Sequence, residues 1–274
     1  DDLGISHSRN TGIILALREG AVTAASILAN GPAVQHAIRL VCAARLQDRV
    51  GLHLNLSEGV PLLPAHRVAS LLSPDSTQHS GVKACVGRFR GARGFRVACR
   101  AGAVVAEEAA AEAKAQVEWF IRHFGRAPKR LDGHQHCHVA SLPLARAVAT
   151  LCAEFQIGEV RMPLELGDNL GLCSTCEMAR EEAKVAANVF ADKGIVFADR
   201  FVGLSLCGGA YSAEKLLSAV DSQLQSGAKS CEIMVHPGFA SAKSCAWDDF
   251  DASAARESEL RVLMAARLPL RRRV

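Results

Sequence analysis

Four stretches of the chain place imidazoles and carboxylates where an ion or a proton could be handled. Asp1 and Asp2 stand side by side at the start, followed by Leu3-Gly4. Adjacent carboxylates repel, so a buried pair needs a cation or a shared proton nearby. His53 interrupts an apolar run in "GLHLNLSEG". In "LDGHQHCH", His134, His136 and His138 recur with a period of two, and on an extended segment they share a face with Asp132. His236 lies in "MVHPGF", directly before Pro-Gly.

Taken singly, each has a plainer reading. A lone histidine on an apolar strand is more often a hydrogen-bonded core residue. An Asp pair before a helix is favoured as a solvated N-terminal cap region. Together they weigh differently, because burying several unpaired imidazoles is costly. Imidazole and carboxylate are good ligands for first-row divalent metals, and an open catalytic site holds three protein ligands plus water. One Asp and two His fill that set. A second carboxylate beside the metal can take a proton from bound water. On this reading one of Asp1 and Asp2 binds the ion and the other is the base, in a metal-dependent hydrolase.

Such residues have to be held by a scaffold, and the chain alternates strand and helix. "SRNTGIILALREG" predicts a helix closed by Gly20, "AVTAASILAN" a strand, and "AVQHAIRLVCAARL" a helix. "RVGLHLNL" predicts a strand whose leucines alternate with His53 and Asn55. An Ala/Glu-rich helix ends at Gly125 and is followed by "KRLDGHQHCHV" as a strand or strand end. Further helix and strand pairs follow up to "SCEIMVHPGF", and "RESELRVLMAARL" is a last helix. About six such units imply an α/β fold with a parallel sheet and outer helices, in keeping with a barrel, and the polar motifs fall at strand ends, where barrels carry their chemistry. The stretch at about 60–102 breaks the rhythm. "GRFRGARGFR" within it is expected to be a solvated basic loop, with a lid over a sugar as the alternative.

Composition narrows the class. Hydrophobic residues make up 49% and charged residues 22% of 274, an ordinary globular balance. A net charge of +4 is too mild to suggest nucleic acid or an anionic membrane, and no apolar run is long enough to span a bilayer. Ten cysteines are scattered rather than clustered, which argues against a small disulfide scaffold and for a reducing, cytoplasmic setting. The C-x-x-C at Cys173-Ser-Thr-Cys176 is expected in a polar loop, as incidental or structural thiols, with a metal or redox site as the alternative.

These residues resemble the signatures of the YdjC-like carbohydrate deacetylases, the chitooligosaccharide deacetylase type, through "DDLG", "GLHLNLSEG", "LDGHQHCH" and "MVHPGF" in order. The likeness runs on through "VRMPLE" and "FVGLSLCG" and covers nearly the whole chain as one domain, 1–274. It implies a distorted (β/α) barrel and removal of acetyl groups from N-acetylated sugars. It implies Asp1 as general base, Asp2, His53 and His134 as metal ligands, and His236 as general acid or oxyanion stabiliser. Arg161 of the R-x-P segment would contact substrate and Glu232 would support the ligands; Asp132 and His138 are read as contacting substrate or supporting the ligands, with plain packing the alternative for His138. The resemblance suggests magnesium, whereas two imidazoles and a carboxylate suit zinc, manganese or cobalt better. The expected partner is an N-acetylated carbohydrate, with no nucleic acid and no membrane, and a homodimer is allowed.

The family pattern places an apolar strand before the Asp pair, so the first barrel strand is expected to be missing from this chain, which would leave unpaired strand edges. Two other readings compete: a metallohydrolase acting on a non-sugar amide or ester, and a non-catalytic barrel that binds a sugar or a partner.

Overall fold

The computed structural model describes residues 1–74, 87–167, 170–206, 211–224, 227–241 and 249–266. In chain order the elements are α1 (His7–Arg18), β1 (Ala25–Ile27), α2 (Val34–Ala43), β2 (Val50–Leu54), α3 (Gly91–Arg100), α4 (Ala106–Phe124), β3 (Arg130–Gly133), α5 (Leu142–Glu154), β4 (Glu159–Val160), α6 (Ser174–Ala191), β5 (Arg200–Val202), α7 (Ala213–Leu224), β6 (Cys231–Ile233), α8 (Asp249–Ala252) and α9 (Ala255–Ala266). The fold is α/β with parallel strand pairing. No helix among the described residues is long and apolar enough to cross a membrane. The chain divides into two compact units: Asp1–Gly51 with Pro163–Cys176 and Ala198–Val274, and Leu52–Met162 with Glu177–Phe197.

In the first unit, α1 starts at Ser6, whose hydroxyl accepts the Arg9 N–H at 3.3 Å. Asn10, fully buried, fixes the turn before it: its side-chain oxygen accepts the Gly4 N–H at 2.6 Å and its amide donates to the Ala33 carbonyl at 3.0 Å. Gly4 has φ +108°, a conformation that L side chains rarely adopt. Leu3 bridges Ile27 in parallel, so the residues just after the Asp pair run as an extended segment beside β1. β5 and β6 pair in parallel, Phe201 opposite Glu232. Leu3, Ile13, Leu17, Ile27 and Phe201 are buried in this unit.

In the second unit, β2 pairs β3 in parallel with Leu52 opposite Leu131 and His53 opposite Asp132, and β3 pairs β4. All five residues of β2 are buried, as in parallel sheets covered on both faces. α4 carries Glu107 and Glu108 in its first turn and ends at Gly125 with φ +71°, a left-handed C-cap. Its buried residues Ala109, Ala113, Val117 and Phe120 keep helical spacing, and the helix packs on α5.

Three expectations need correction. The "GRFRGARGFR" stretch is not a solvated basic loop: Phe89 is buried and α3 begins at Gly91, with Phe95 and Arg96 1% and 2% exposed. Residues 75–86 of the same insertion lie outside the described residues. The extended run through 134–138 also fails. β3 stops at Gly133, and Gln135 and His136 take φ of +52° and +53°, so the chain folds into a tight turn and the period-two alternation ends with the strand. Finally, the loop expected to run through Cys176 ends sooner: Cys173 is its last residue and Cys176 is inside α6.

Candidate active site

The predicted site residues fall in both units, and each set is built from its own elements. In the second unit, β2 and β3 place His53 beside Asp132, with His53 Nδ1 2.6 Å from Asp132 Oδ1. Asp132 is 1% exposed, and its other oxygen meets Arg161 at 3.2 Å and Arg130 at 3.4 Å. Burial alone would raise this carboxyl. Arg161, His53 and Arg130 outweigh burial and hold it well below the usual carboxylate range. Arg161 thus serves Asp132, and its backbone carbonyl lies 2.8 Å from His138 Nε2.

His134 follows the end of β3. Its Nε2 is 2.5 Å from Glu58 Oε2, and its Nδ1 is 3.3 Å from His53 Nε2. The carboxylates fix both tautomers. From these distances the His53 proton is assigned to Nδ1, toward Asp132, and the His134 proton to Nε2, toward Glu58. The two nitrogens that face each other at 3.3 Å are therefore both lone-pair donors. Facing lone pairs require a positive centre between or beside them, either a further proton or a metal ion. Two nitrogens bound to one ion at about 2.0–2.1 Å stand about 3.3–3.4 Å apart on a tetrahedral shell and about 2.8–3.0 Å apart as neighbours on an octahedral one. The separation fits, and an imidazole backed by a carboxylate is the usual arrangement of a metal-ligating histidine.

Glu58 was not singled out in the sequence. A turn built by Asn55 holds it: Asn55 Oδ1 accepts the N–H groups of Ser57 and Glu58, both at 3.1 Å, and Asn55 Nδ2 donates to the Glu58 carbonyl at 2.9 Å. Gln116 on α4 clamps the Asn55 backbone through 3.0 and 2.7 Å bonds. Glu112, one turn earlier, accepts from Gln116 and from the N–H groups of Leu62 and Leu63. The left-handed turn after His134 has its own anchor, because the buried Arg96 donates to the Gln135 carbonyl at 2.6 Å and pairs with Glu182. His136 is buried, and desolvation pushes its imidazole well below its usual range.

In the first unit, Asp1, Asp2, His236 and Arg9 come together. The Asp1 nitrogen donates to the Val235 carbonyl at 2.9 Å, and Asp1 Oδ2 is 3.7 Å from His236 Nε2. Asp2 is 3% exposed, takes a positive φ of 63°, and meets Arg9 at 3.4 Å. Arg9 is fully buried; it also approaches Asp251 at 3.7 Å and donates to the His236 carbonyl at 2.7 Å. The His236 N–H donates to Glu259 at 2.8 Å, and its ring packs edge-on to Phe250. Burial pushes the His236 imidazole well below its usual range, so at neutral pH it rests uncharged. A small cavity here is lined by Gly203, Tyr211, Met234, His236, Phe250 and Glu259. The half-buried Glu232 lies on β6, opposite Phe201. The carboxylate on the His236 backbone is Glu259 from α9, which the sequence reading did not pick out. Neither did it pick out Arg9, since a single sequence does not distinguish a buried helical arginine from a surface one.

The described residues thus include Asp and His donors able to hold a metal ion. The model of the YdjC-like protein family matches residues 1–270. A carbohydrate deacetylase of Mus musculus is 37% identical over 98% of this chain and 87% of its own length, and one of Homo sapiens is 37% identical over 98% and 84%. A chitooligosaccharide deacetylase of Klebsiella pneumoniae (strain 342) is 28% identical over 87% of this chain and 79% of its own. Among solved structures, a proposed cellobiose-phosphate cleavage protein of Enterococcus faecalis V583 matches with a TM-score of 0.71. It covers 97% of this chain and 88% of its own at 22% identity, a likeness of fold alone.

Proposed function

The chain belongs to the YdjC-like protein family, and from that membership we propose that it is a metal-dependent hydrolase removing acetyl groups from N-acetylated sugars. The family relatives named carbohydrate and chitooligosaccharide deacetylases support the reaction. The observation that carries metal dependence is the pair of imidazole nitrogens facing each other at 3.3 Å, each ring backed by a carboxylate. The same reading takes the chain as one YdjC-like domain and carries the (β/α) barrel that the family resemblance implies.

On this reading His53 and His134, with Asp2 as third ligand, hold one divalent ion. Two nitrogens in the donor set favour zinc, manganese or cobalt over magnesium. The ion, when bound, polarises the acetyl oxygen and lowers the pKa of water. Asp132 and Glu58 keep the ring protons of His53 and His134 away from the ion. Asp1 takes the proton of the attacking water at its carboxylate. His236 rests neutral, so it gives a proton to the departing amine only after receiving one from Asp1, whose Oδ2 is 3.7 Å away. Glu259 and Arg9 hold the His236 backbone in place for that transfer.

Amine release from short N-acetylglucosamine oligomers, with metal content measured in parallel, tests the proposal. The expected result is turnover that depends on added divalent metal, with His53→Ala and His134→Ala each losing bound metal. Unchanged metal content in both variants would overturn the ligand assignment. Sugar binding without amine release at any metal would favour the non-catalytic reading.

A further inference from the structure

The C-x-x-C of the sequence takes no part in the reaction above. Cys173 directly precedes the first helical residue of α6, and Cys176 lies at its third position. The Cys173 sulfur occupies the place of a capping oxygen: the Cys176 backbone N–H donates to it at 3.4 Å. The Cys173 thiol in turn donates to Cys176 Sγ at 3.1 Å. The two thiols differ in access. Cys173 is exposed, whereas Cys176 is 8% exposed and packs with Leu172, Phe201, Leu204 and Met234.

We propose that Cys173 and Cys176 form a reversible redox site, converted to a disulfide by exchange with low-molecular-weight disulfides of the glutathione type. The exposed Cys173 attacks, as thiolate, one sulfur of the small disulfide. The oxidant's S–S bond breaks, a mixed disulfide forms on Cys173, and one small thiolate leaves and takes up a proton. Cys176, as thiolate, then attacks Cys173 Sγ, expelling the second small thiolate and closing the ring. Two protein thiols have lost two electrons and two protons, and one small disulfide has become two thiols.

The backbone permits closure. Positions three apart along an α-helix have Cα atoms about 5 Å apart, inside the span of about 4.4–6.8 Å that disulfides bridge. The sulfurs need to approach by only about 1 Å from where they stand to reach bonding distance. Access makes the attack directional. An exposed thiol meets the oxidant, and a buried neighbour resolves the adduct, whereas the reverse order would require the oxidant to enter the apolar cluster. The other thiols among the described residues are placed differently. Burial pushes Cys99, Cys137 and Cys152 up to about 12, and Cys231 up to about 11, so they hold little thiolate near neutral pH. Cys42, exposed on α2, serves as an internal comparison for simple adduct formation.

The full chain, fully reduced, is equilibrated with glutathione buffers of increasing oxidised fraction, then acid-quenched, alkylated and digested with trypsin. The peptide Met162–Arg180 contains Cys173 and Cys176 and no other cysteine. The expected product is this peptide lighter by two hydrogens and not alkylated, and it reverts with dithiothreitol. Cys176→Ser is expected to trap a glutathione adduct on Cys173, and Cys173→Ser to give neither product. The proposal is overturned if both thiols of the wild-type peptide remain alkylatable at oxidised fractions that modify Cys42. It is equally overturned if the wild type accumulates the Cys173 adduct without ring closure. Neither outcome touches the deacetylase reading, because the peptide map reads no activity.

Discussion

Replacing Glu58 by Gln tests the metal centre at the group that orients its second imidazole. The substitution keeps the size of the side chain and removes its charge. The Asn55 turn, Gln116 and Glu112 hold the backbone around Glu58 through bonds that do not involve its side chain, so the loop should stay in place. What changes is the partner of His134 Nε2, now 2.5 Å from a carboxylate oxygen. A glutamine oxygen accepts that proton more weakly. If the amide turns its nitrogen inward, His134 must move its proton to Nδ1, the atom that faces His53. A hydrogen bond to a charged group is worth about 1.5–3 kcal/mol, and the Glu58 side chain is 20% exposed, so solvent screening brings the estimate toward the lower part of that range. Carboxylates behind metal-bound histidines typically contribute about 10–100-fold in affinity, about 1.4–2.7 kcal/mol. The expected result is therefore weaker zinc or manganese binding by roughly that factor, measured by chelator competition at fixed pH. Melting of the metal-free protein should move by no more than about 2–4 °C, the equivalent of about 1 kcal/mol for a chain of this size. Unchanged affinity, within about twofold on a scale where the partner is worth tenfold or more, would refute the assignment of His134 Nδ1 as a ligand atom.

Arg9→Met would leave Asp2 and Asp251 buried without their guanidinium, so unfolding in urea is expected to show a loss of about 3–5 kcal/mol; a loss below about 1 kcal/mol would show that the carboxylates find other partners. Gly133→Ala would set a Cβ 2.4 Å from His138 Nδ1 and 2.9 Å from the His138 backbone nitrogen, and because backbone must move, a cost of about 1–3 kcal/mol is expected in the same assay. Burial pushes the Glu112 carboxyl above its usual range despite the Leu62, Gln116 and Leu63 donors. An acid whose folded pKa exceeds its unfolded one stabilises fully below the unfolded value, and that contribution is lost as pH rises through the folded value. Denaturation midpoints measured from about pH 4 upward should show such a decline, and Glu112→Gln should flatten it. Asp132 has the opposite sign: its contribution is present above the ordinary carboxylate value and is lost as pH falls through the depressed folded one.

Strand alternation was legible where a strand exists. It set His53 apart from the leucines of β2, and the register of β2 and β3, which only the structure shows, puts it opposite Asp132. The same rule misled one residue later, because Asp132-Gly133 is a turn signal as well as a strand end. His138 packs so close over Gly133 that no Cβ fits, and the chain reverses through Gln135 and His136. Helix α3 was hidden by its composition: Gly91, Gly94 and three arginines suggest a loop, and only burial of Phe95 and Arg96 shows the side that faces inward. Glu58, Glu259 and Arg9 were not legible as site residues, since each acts through a contact with a residue distant in sequence. The C-x-x-C was visible as spacing, but its helix starts one residue after Cys173, earlier than the apolar periodicity indicated.

Asp132 answers to three residues at once: His53 on β2, Arg130 on its own strand, and Arg161 just past β4. A shared hub of this kind makes substitutions epistatic. Changing any one of the three alters the charge balance under the other two, so the effects of single replacements at 53, 130 and 161 should not sum. Drift or engineering at these positions would have to proceed by coordinated change, with Asp132 as the residue that fixes which combinations fold.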